Sequence, residues 1–119
     1  MKTVWGEQLD PNAVLQEYPR PQMVRESYRN LNGLWDYAIT DTDTCPENWD
    51  GKILVPFSPE AELSGVGRML LPGQYLWYRR ELAEAPQAGM RLLLHFGAVD
   101  QECRVWLNGR LLGGHTGGY

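Results

Sequence analysis

Glu60 and Glu62 are the two carboxylates whose spacing comes closest to that of an acid–base pair. Residues two apart point to the same side of an extended chain, so both carboxylates could face one substrate. General acid–base catalysis also needs a positioned pocket that excludes water, and the neighbouring residues give no sign of one. The sequence therefore predicts no catalytic residue in this chain.

The cysteines and histidines do not form a metal motif. Cys45 and Cys103 lie far apart, and neither has a second cysteine or a histidine at ligand spacing. His95 and His115 are single histidines, one in an apolar run and one in a glycine-rich tail. We therefore predict two free thiols, structural or solvated histidines, no metal site and no cofactor.

Two other residue types could bind a ligand, the paired arginines and the tryptophans. Arg79 and Arg80 are adjacent, so on a strand they point to opposite faces, and one can form a buried ion pair while the other is exposed. For the two arginines, a structural role is favoured over ligand binding.

Trp35, Trp77 and Trp106 fall inside strand patterns, which favours core packing over stacking on a ligand.

The elements that must position these residues are short strands. Alternation with period two predicts strands over 34–40, 52–57, 75–82, 90–96 and 103–107. Asn108-Gly109 between apolar runs predicts a type I′ hairpin turn, because both residues tolerate positive φ. A third short run and a glycine-rich tail follow this turn. Pro56 cannot donate to a ladder, which confines that end of its strand to a sheet edge.

Residues 1–34 are predicted to be an N-terminal arm, and residues 35–119 a partial β-sandwich domain. Three prolines keep the arm out of a sheet, so it should lie over a surface. One helix is predicted in the arm, from Asn12 to Tyr18, with Asp10 as N-cap, Pro11 at the first position and Pro19 as the stop.

Length and composition limit the class of protein. A chain of 119 residues suits one domain or part of one, and its 13 glycines and 8 prolines favour a turn-rich, all-β fold. The strand pattern predicts an antiparallel sandwich of the jelly-roll or immunoglobulin kind.

A net charge of −4 with scattered basic residues argues against a nucleic-acid partner. No apolar run is long enough for a membrane span and no signal peptide is present, so we predict a cytoplasmic protein.

Seven motifs, in this order, resemble the N-terminal sugar-binding domain of family 2 glycoside hydrolases, the β-galactosidase and β-glucuronidase group: EYPRPQMVR, NLNGLWDYAI, ILVPFSPEAELSG, LWYRRE, LHFGAVD, VWLNG and GGHTGGY. The resemblance covers nearly the whole chain. It implies a β-sandwich of jelly-roll, galactose-binding-like type, followed in such enzymes by an immunoglobulin-like domain and a TIM barrel. The barrel of such retaining enzymes carries the two catalytic glutamates, so those would lie beyond residue 119.

The resemblance also implies a site and partners. In similar enzymes the region that corresponds to residues 58–73 reaches toward the active site, so Glu60, Glu62 and Ser64 are candidates for binding a carbohydrate substrate or the neighbouring domain. The alternative is a solvated loop that only packs against that domain. The family's sandwich continues after GGHTGGY, which implies that this domain is incomplete at its C-terminus. We therefore expect the isolated chain to be marginally stable or self-associating.

Overall fold

The computed structural model describes residues 2–18 and 20–118, which contain mostly strands and almost no helix. The predicted all-β class is confirmed. The chain divides into two compact units, Met1–Glu81 and Leu82–Tyr119, and each of them contains one antiparallel sheet. The predicted division into an arm over 1–34 and a sandwich over 35–119 stays a prediction.

The first unit is built on a three-stranded sheet of β1 (Gly33–Thr40), β2 (Gly51–Val55) and β3 (Tyr75–Arg79), in the order β2-β1-β3. Both pairs are antiparallel. Three predicted strands are thus confirmed, with β1 and β2 beginning one residue earlier than predicted and β2 and β3 ending earlier. β2 stops at Val55 because Pro56 has no backbone N–H to donate.

The buried side chains of the first unit cluster on the central and edge strands of this sheet. Ile53 is 0% exposed and shares its face with the buried Tyr37, whereas Ala38 and Leu54 are buried on the other face. Burial on both faces explains why apolar residues of β1 and β2 do not alternate strictly with polar ones. The β1–β2 pair is therefore the main part of the core of this unit.

The N-terminal segment is fastened to this unit by hydrogen bonds to backbone carbonyls. Val14 is fully buried. The Asn30 side-chain amide donates to the Leu15 carbonyl at 2.8 Å, and the Asn32 amide donates to the Val14 carbonyl at 3.3 Å. These bonds hold the turn around Val14 close to the residues that enter β1.

The helix predicted from Asn12 to Tyr18 is wrong. The Asp10 carboxylate accepts from the Asn12 N–H at 2.9 Å, and the Asp10 carbonyl accepts from the Ala13 N–H, which makes an isolated turn. Leu15 then has a φ of 44°, which a right-handed helix cannot continue through. The structure has a one-turn helix, α1 (Val4–Glu7), capped by the Thr3 hydroxyl, and 3₁₀ turns at Pro21–Met23 and Glu62–Ser64. The predicted stop, Pro19, lies outside the described residues.

The second unit contains a hairpin of β4 (Glu102–Leu107) and β5 (Arg110–Thr116). Asn108 and Gly109 have φ values of 50° and 78°, so the predicted type I′ turn is confirmed. β5 runs through Gly113 and Gly114, so the third short run continues as a strand into the glycine-rich tail.

The strand predicted over 90–96 is not present. Its apolar residues Leu92, Leu94 and Phe96 are exposed, and within residues 82–101 the structure assigns no strand. A strand needs a partner for its backbone N–H and C=O groups, and period two in a sequence does not supply one. The alternation in the sequence describes an amphipathic segment, but it does not show that a neighbouring strand is there to pair with it.

In the part of the chain that the structure describes, no helix has the length and apolar character needed to cross a membrane.

Candidate binding site

The loop between β2 and β3 is closed by its own hydrogen bonds. The Arg68 N–H donates to the Pro59 carbonyl at 2.9 Å. The Ser64 hydroxyl donates to the Ala61 carbonyl at 2.7 Å and accepts from the Val66 N–H at 3.1 Å. Because Ser64 is 1% exposed, its hydroxyl serves the backbone of the loop. This geometry makes Ser64 the residue that shapes the loop, and direct contact with a ligand stays a prediction.

The two candidate glutamates lie on the outside of the same loop. The Glu60 Oε1 accepts from the Leu70 N–H at 3.2 Å, which joins the two ends of the loop. Hydrogen bonds from its own backbone N–H, from Leu70 and from Ser58 lower the pKa of Glu60 below its ordinary value. Glu62 is exposed at the first position of the 3₁₀ turn. Substrate binding by Glu60 and Glu62 also stays a prediction.

The negative charge of Glu60 affects the pKa of Tyr78 on β3. Partial burial raises the pKa of Tyr78, and the negative charge of Glu60 raises it further, because both disfavour the phenolate. Tyr78 lies opposite Tyr37 in the sheet and packs edge to face with Trp35, with ring centroids 6.4 Å apart. Tyr78 therefore stays protonated and able to donate a hydrogen bond throughout the neutral range.

The loop is also tied to the sheet and has an apolar tip. Arg68 Nη1 lies 3.5 Å from Asp50 Oδ2, and the same oxygen accepts from the Ile39 N–H at 2.9 Å. Beyond this ion pair, Met69 is 71% exposed and Leu71 is 54% exposed. Exposed apolar side chains at the tip of a fastened loop are typical of a surface that contacts another molecule or domain.

A row of charged side chains that sequence reasoning missed crosses the sheet. Asp36 lies at the centre of β1, directly opposite Lys52 of β2 and Arg79 of β3. Its Oδ1 is 2.6 Å from Lys52 Nζ, and its Oδ2 accepts from Arg79 Nε at 3.1 Å and Nη2 at 2.9 Å. The hydrogen bond from Lys52, then the bonds from Arg79, lower the pKa of Asp36. We refer to Lys52, Asp36 and Arg79 as the charged row.

The charged row opens onto a cleft of about 360 Å³. Its lining is mostly polar and consists of Leu34, Asp36, Lys52, Arg79, Arg80 and Glu81. Opposite the carboxylate, the Arg79 guanidinium lies over the ring of Trp49 at 4.5 Å. Three strands and the loop before β2 thus place cationic and anionic groups around one concave surface.

The arginine pair behaves as predicted in one respect and differs in another. Arg79 and Arg80 do point to opposite faces: Arg79 pairs with Asp36, while Arg80 Nη1 donates to the carbonyls of Leu31 and Asn32. The predicted buried ion pair is wrong, because the Arg79 side chain is 55% exposed and Arg80 is held by carbonyls. Carbonyl oxygens satisfy the N–H donors of a partly buried guanidinium without neutralising its charge.

The tryptophans predicted for the core lie at its margin. Trp35 and Trp77 are half-buried, and each indole N–H finds an acceptor at 2.8 Å, the Leu31 carbonyl and the Thr40 hydroxyl respectively. Trp106 is 40% exposed, with the Arg104 guanidinium 5.7 Å from its ring. Core packing is therefore partial for Trp35 and Trp77, and the core packing predicted for Trp106 is wrong.

The second unit has a separate concave surface of about 480 Å³, lined mainly by apolar residues together with His95, Cys103 and His115. Cys103 lies opposite His115 in the hairpin. Among the described residues, no group of three histidine, cysteine or acidic side chains is arranged to hold a metal ion. Both cysteines are free thiols.

A scan of the chain against protein-family models gives no match.

Proposed function

We propose that the chain is the N-terminal, non-catalytic sugar-binding part of a retaining family 2 glycoside hydrolase. Its three-stranded sheet would then form part of a jelly-roll β-sandwich. The motifs on which the resemblance depends support this, since NLNGLWDYAI, LWYRRE and VWLNG overlap β1, β3 and β4. The proposed partners are the remaining domains of the parent enzyme, an immunoglobulin-like domain and a TIM barrel, and its carbohydrate substrate.

The observation that carries the proposal is the closed loop between β2 and β3. Its internal hydrogen bonds, through Ser64 and Glu60, hold one backbone shape, so the exposed Glu62 and the apolar tip are presented in fixed positions. A loop preorganised in this way can support an active site on a neighbouring domain at little entropic cost. The proposed location of the enzyme is the cytoplasm.

The reading frame that follows the codon of Tyr119 tests the proposal. We expect it to encode further strands, an immunoglobulin-like segment and a barrel with two glutamates whose carboxyl groups can lie about 5 Å apart. In that full-length enzyme, replacing Glu60 and Glu62 together by glutamine should raise KM for the sugar substrate. A stop codon directly after Tyr119 would sink the proposal.

Exposed apolar side chains favour a second candidate, a purely structural interface domain. In the second unit Leu92, Leu93, Leu94 and Phe96 are each at least 44% exposed. Such a domain would bind no sugar, and would bury these side chains against another domain.

A third candidate is an independent carbohydrate-binding module, which the 82% exposed ring of Trp5 favours. Titration of the chain with galactosides, glucuronides and plant oligosaccharides separates the module from the other two candidates. Saturable binding that Trp5→Ala abolishes supports the module. Absence of binding supports a domain that acts only together with its neighbours.

A further inference from the structure

We propose that the cleft over the charged row is a binding site for a small oxyanion, a carboxylate or a phosphate group, held by Lys52 and Arg79. This goes beyond the proposed function and does not depend on it. The cleft lies wholly within the first unit, and its polar lining suits a charged ligand.

Both cations keep hydrogen-bond donors after pairing with Asp36. An ammonium has three N–H donors, and Lys52 directs its shortest contact to Asp36 Oδ1. A guanidinium has five N–H donors, and Arg79 donates from Nε and Nη2 to Asp36 Oδ2. Their side chains are 61% and 55% exposed, so the remaining donors can reach a ligand. Charge-assisted hydrogen bonds from such donors to an oxyanion are stronger than hydrogen bonds between neutral groups.

The charged row itself has one more positive than negative group. Lys52 and Arg79 supply two positive charges on the face that carries Asp36, and Asp36 supplies one negative charge. Glu81, which also lines the cleft, offsets the remaining charge, and the Arg80 guanidinium points to the opposite face. Anion binding therefore depends on the remaining donors of Lys52 and Arg79.

The cationic groups are also held in place before a ligand arrives. The Arg79 guanidinium contacts both Asp36 and the ring of Trp49, 4.5 Å from the ring centroid. Arg80 points to the opposite face, where the carbonyls of Leu31 and Asn32 hold it over Trp35, so it does not compete with Arg79 for Asp36. Since these side chains are ordered already, binding an anion costs little further side-chain entropy.

Asp36 competes with the ligand for the same donors, which gives the site a distinctive response to mutation. Both Asp36 oxygens accept hydrogen bonds from the two cations. Replacing this carboxylate by an amide removes a negative charge and frees donors, so Asp36→Asn should tighten anion binding. A merely structural salt-bridge row would show no anion affinity in either form.

Titration of the 119-residue chain with acetate and with inorganic phosphate, followed by NMR shifts of the backbone amides, tests the proposal. We expect saturable shifts at residues 34–36, 52 and 79–81 that weaken as NaCl is added. Lys52→Gln should weaken binding about fivefold, the order of an exposed ion pair. Asp36→Asn should strengthen it by a similar factor.

Arg68→Gln is the matched control, because Arg68 is a comparably exposed cation, 52% against 61% for Lys52, and it forms an ion pair with Asp50 outside the cleft. It should leave the anion affinity unchanged. Equal weakening by Arg68→Gln and Lys52→Gln, or no saturable shift in a folded chain, would overturn the proposal.

Sugar derivatives distinguish the two sources of an oxyanion. Glucuronate carries a carboxylate, glucose 1-phosphate carries a phosphate, and glucose carries neither. We expect at least one charged sugar to bind no more weakly than its free anion, and glucose not to bind in the cleft. The tighter of the two charged sugars identifies the source. If glucose shifts the same amides with the same affinity, the anion proposal is wrong.

Discussion

Asp36 accepts two hydrogen bonds from Arg79 across the β1–β3 pair, at 3.1 Å from Nε and 2.9 Å from Nη2. Its other oxygen lies 2.6 Å from Lys52 Nζ on the opposite strand. One carboxylate thus links all three strands of the sheet through directly opposed side chains, the pairs that stabilise a sheet most effectively. The ionised form of Asp36 is consequently favoured in the folded protein.

Stability should therefore depend on pH through Asp36. The hydrogen bonds from Lys52 and Arg79 lower its pKa from 3.8 in the absence of partners, so the folded state binds this proton less readily than the unfolded state. The stabilising effect is fully present above pH 3.8 and is lost as the pH falls through the lower, folded-state pKa. Urea unfolding of wild type and Asp36→Asn should differ at neutral pH and converge in acid.

Glu47→Gln is the control for this experiment, since it removes an exposed carboxylate in the loop before β2. The free energy of unfolding of Glu47→Gln should differ little from that of wild type, and this difference should not change with pH as it does for Asp36→Asn. A gap between wild type and Asp36→Asn that stays constant into strong acid would contradict the linkage.

Ile53→Ala should destabilise the first unit strongly. Ile53 is 0% exposed on β2, opposite Trp35 of the central strand, so truncation removes apolar contacts and leaves a cavity. Such changes cost about 2–5 kcal/mol. Denaturant unfolding monitored by tryptophan fluorescence should show the loss, and Met69→Ala, at a residue 71% exposed, should change stability little. Comparable losses for both variants would mean that Ile53 is not in a packed core.

Ser64→Ala should loosen the loop between β2 and β3. The change removes the hydroxyl that accepts from the Val66 N–H and donates to the Ala61 carbonyl. The Ala61 carbonyl still accepts from the backbone N–H of residue 64, but the Val66 N–H loses this acceptor. A lost partner for a buried polar group costs about 1–3 kcal/mol. Amide hydrogen exchange at Val66 should accelerate, whereas Ser27→Ala, at an exposed serine, should leave it unchanged. Unchanged protection of Val66 in Ser64→Ala would contradict this role.

The sequence pattern located β1, β2 and β3 because their apolar residues recur with period two, and the hairpin turn because Asn108-Gly109 meets a strict backbone requirement. The sequence pattern failed for the helix predicted over residues 12–18, where the Asp10 carboxylate accepts from the Asn12 N–H and an isolated turn forms. It failed for 90–96, because amphipathic alternation does not say which strand, if any, will pair with a segment.

The charged row was not foreseeable from one sequence. Asp36, Lys52 and Arg79 each stand at a polar position of a strand, which is the only local signal they give. Their meeting depends on the register of two strand pairs, and that register is set by the loops over 41–50 and 56–74. By contrast, the Ser64 and Glu60 loop was identified as a candidate, while the use of the Ser64 hydroxyl by the backbone was not.

Gly114 and Gly113 should respond in opposite ways to alanine. A Cβ at Gly114 would lie 2.9 Å from the Cys103 carbonyl oxygen and 3.3 Å from Arg104 Cγ, whereas one at Gly113 would meet nothing within 4 Å. The first contact is with backbone and cannot be relieved by a rotamer change, so β5 must move away from β4. Overpacking of this kind costs about 1–3 kcal/mol.

Amide exchange across the β4–β5 hairpin measures the two effects. Gly114→Ala should accelerate exchange along the paired residues, while Gly113→Ala should leave it unchanged or slow it, because alanine restricts the unfolded chain by about 0.4–1 kcal/mol. The two variants differ by one position and add the same methyl group, so propensity alone predicts equal effects. Equal acceleration in both would mean that the close approach of Gly114 to Cys103 does not determine how tightly the hairpin pairs.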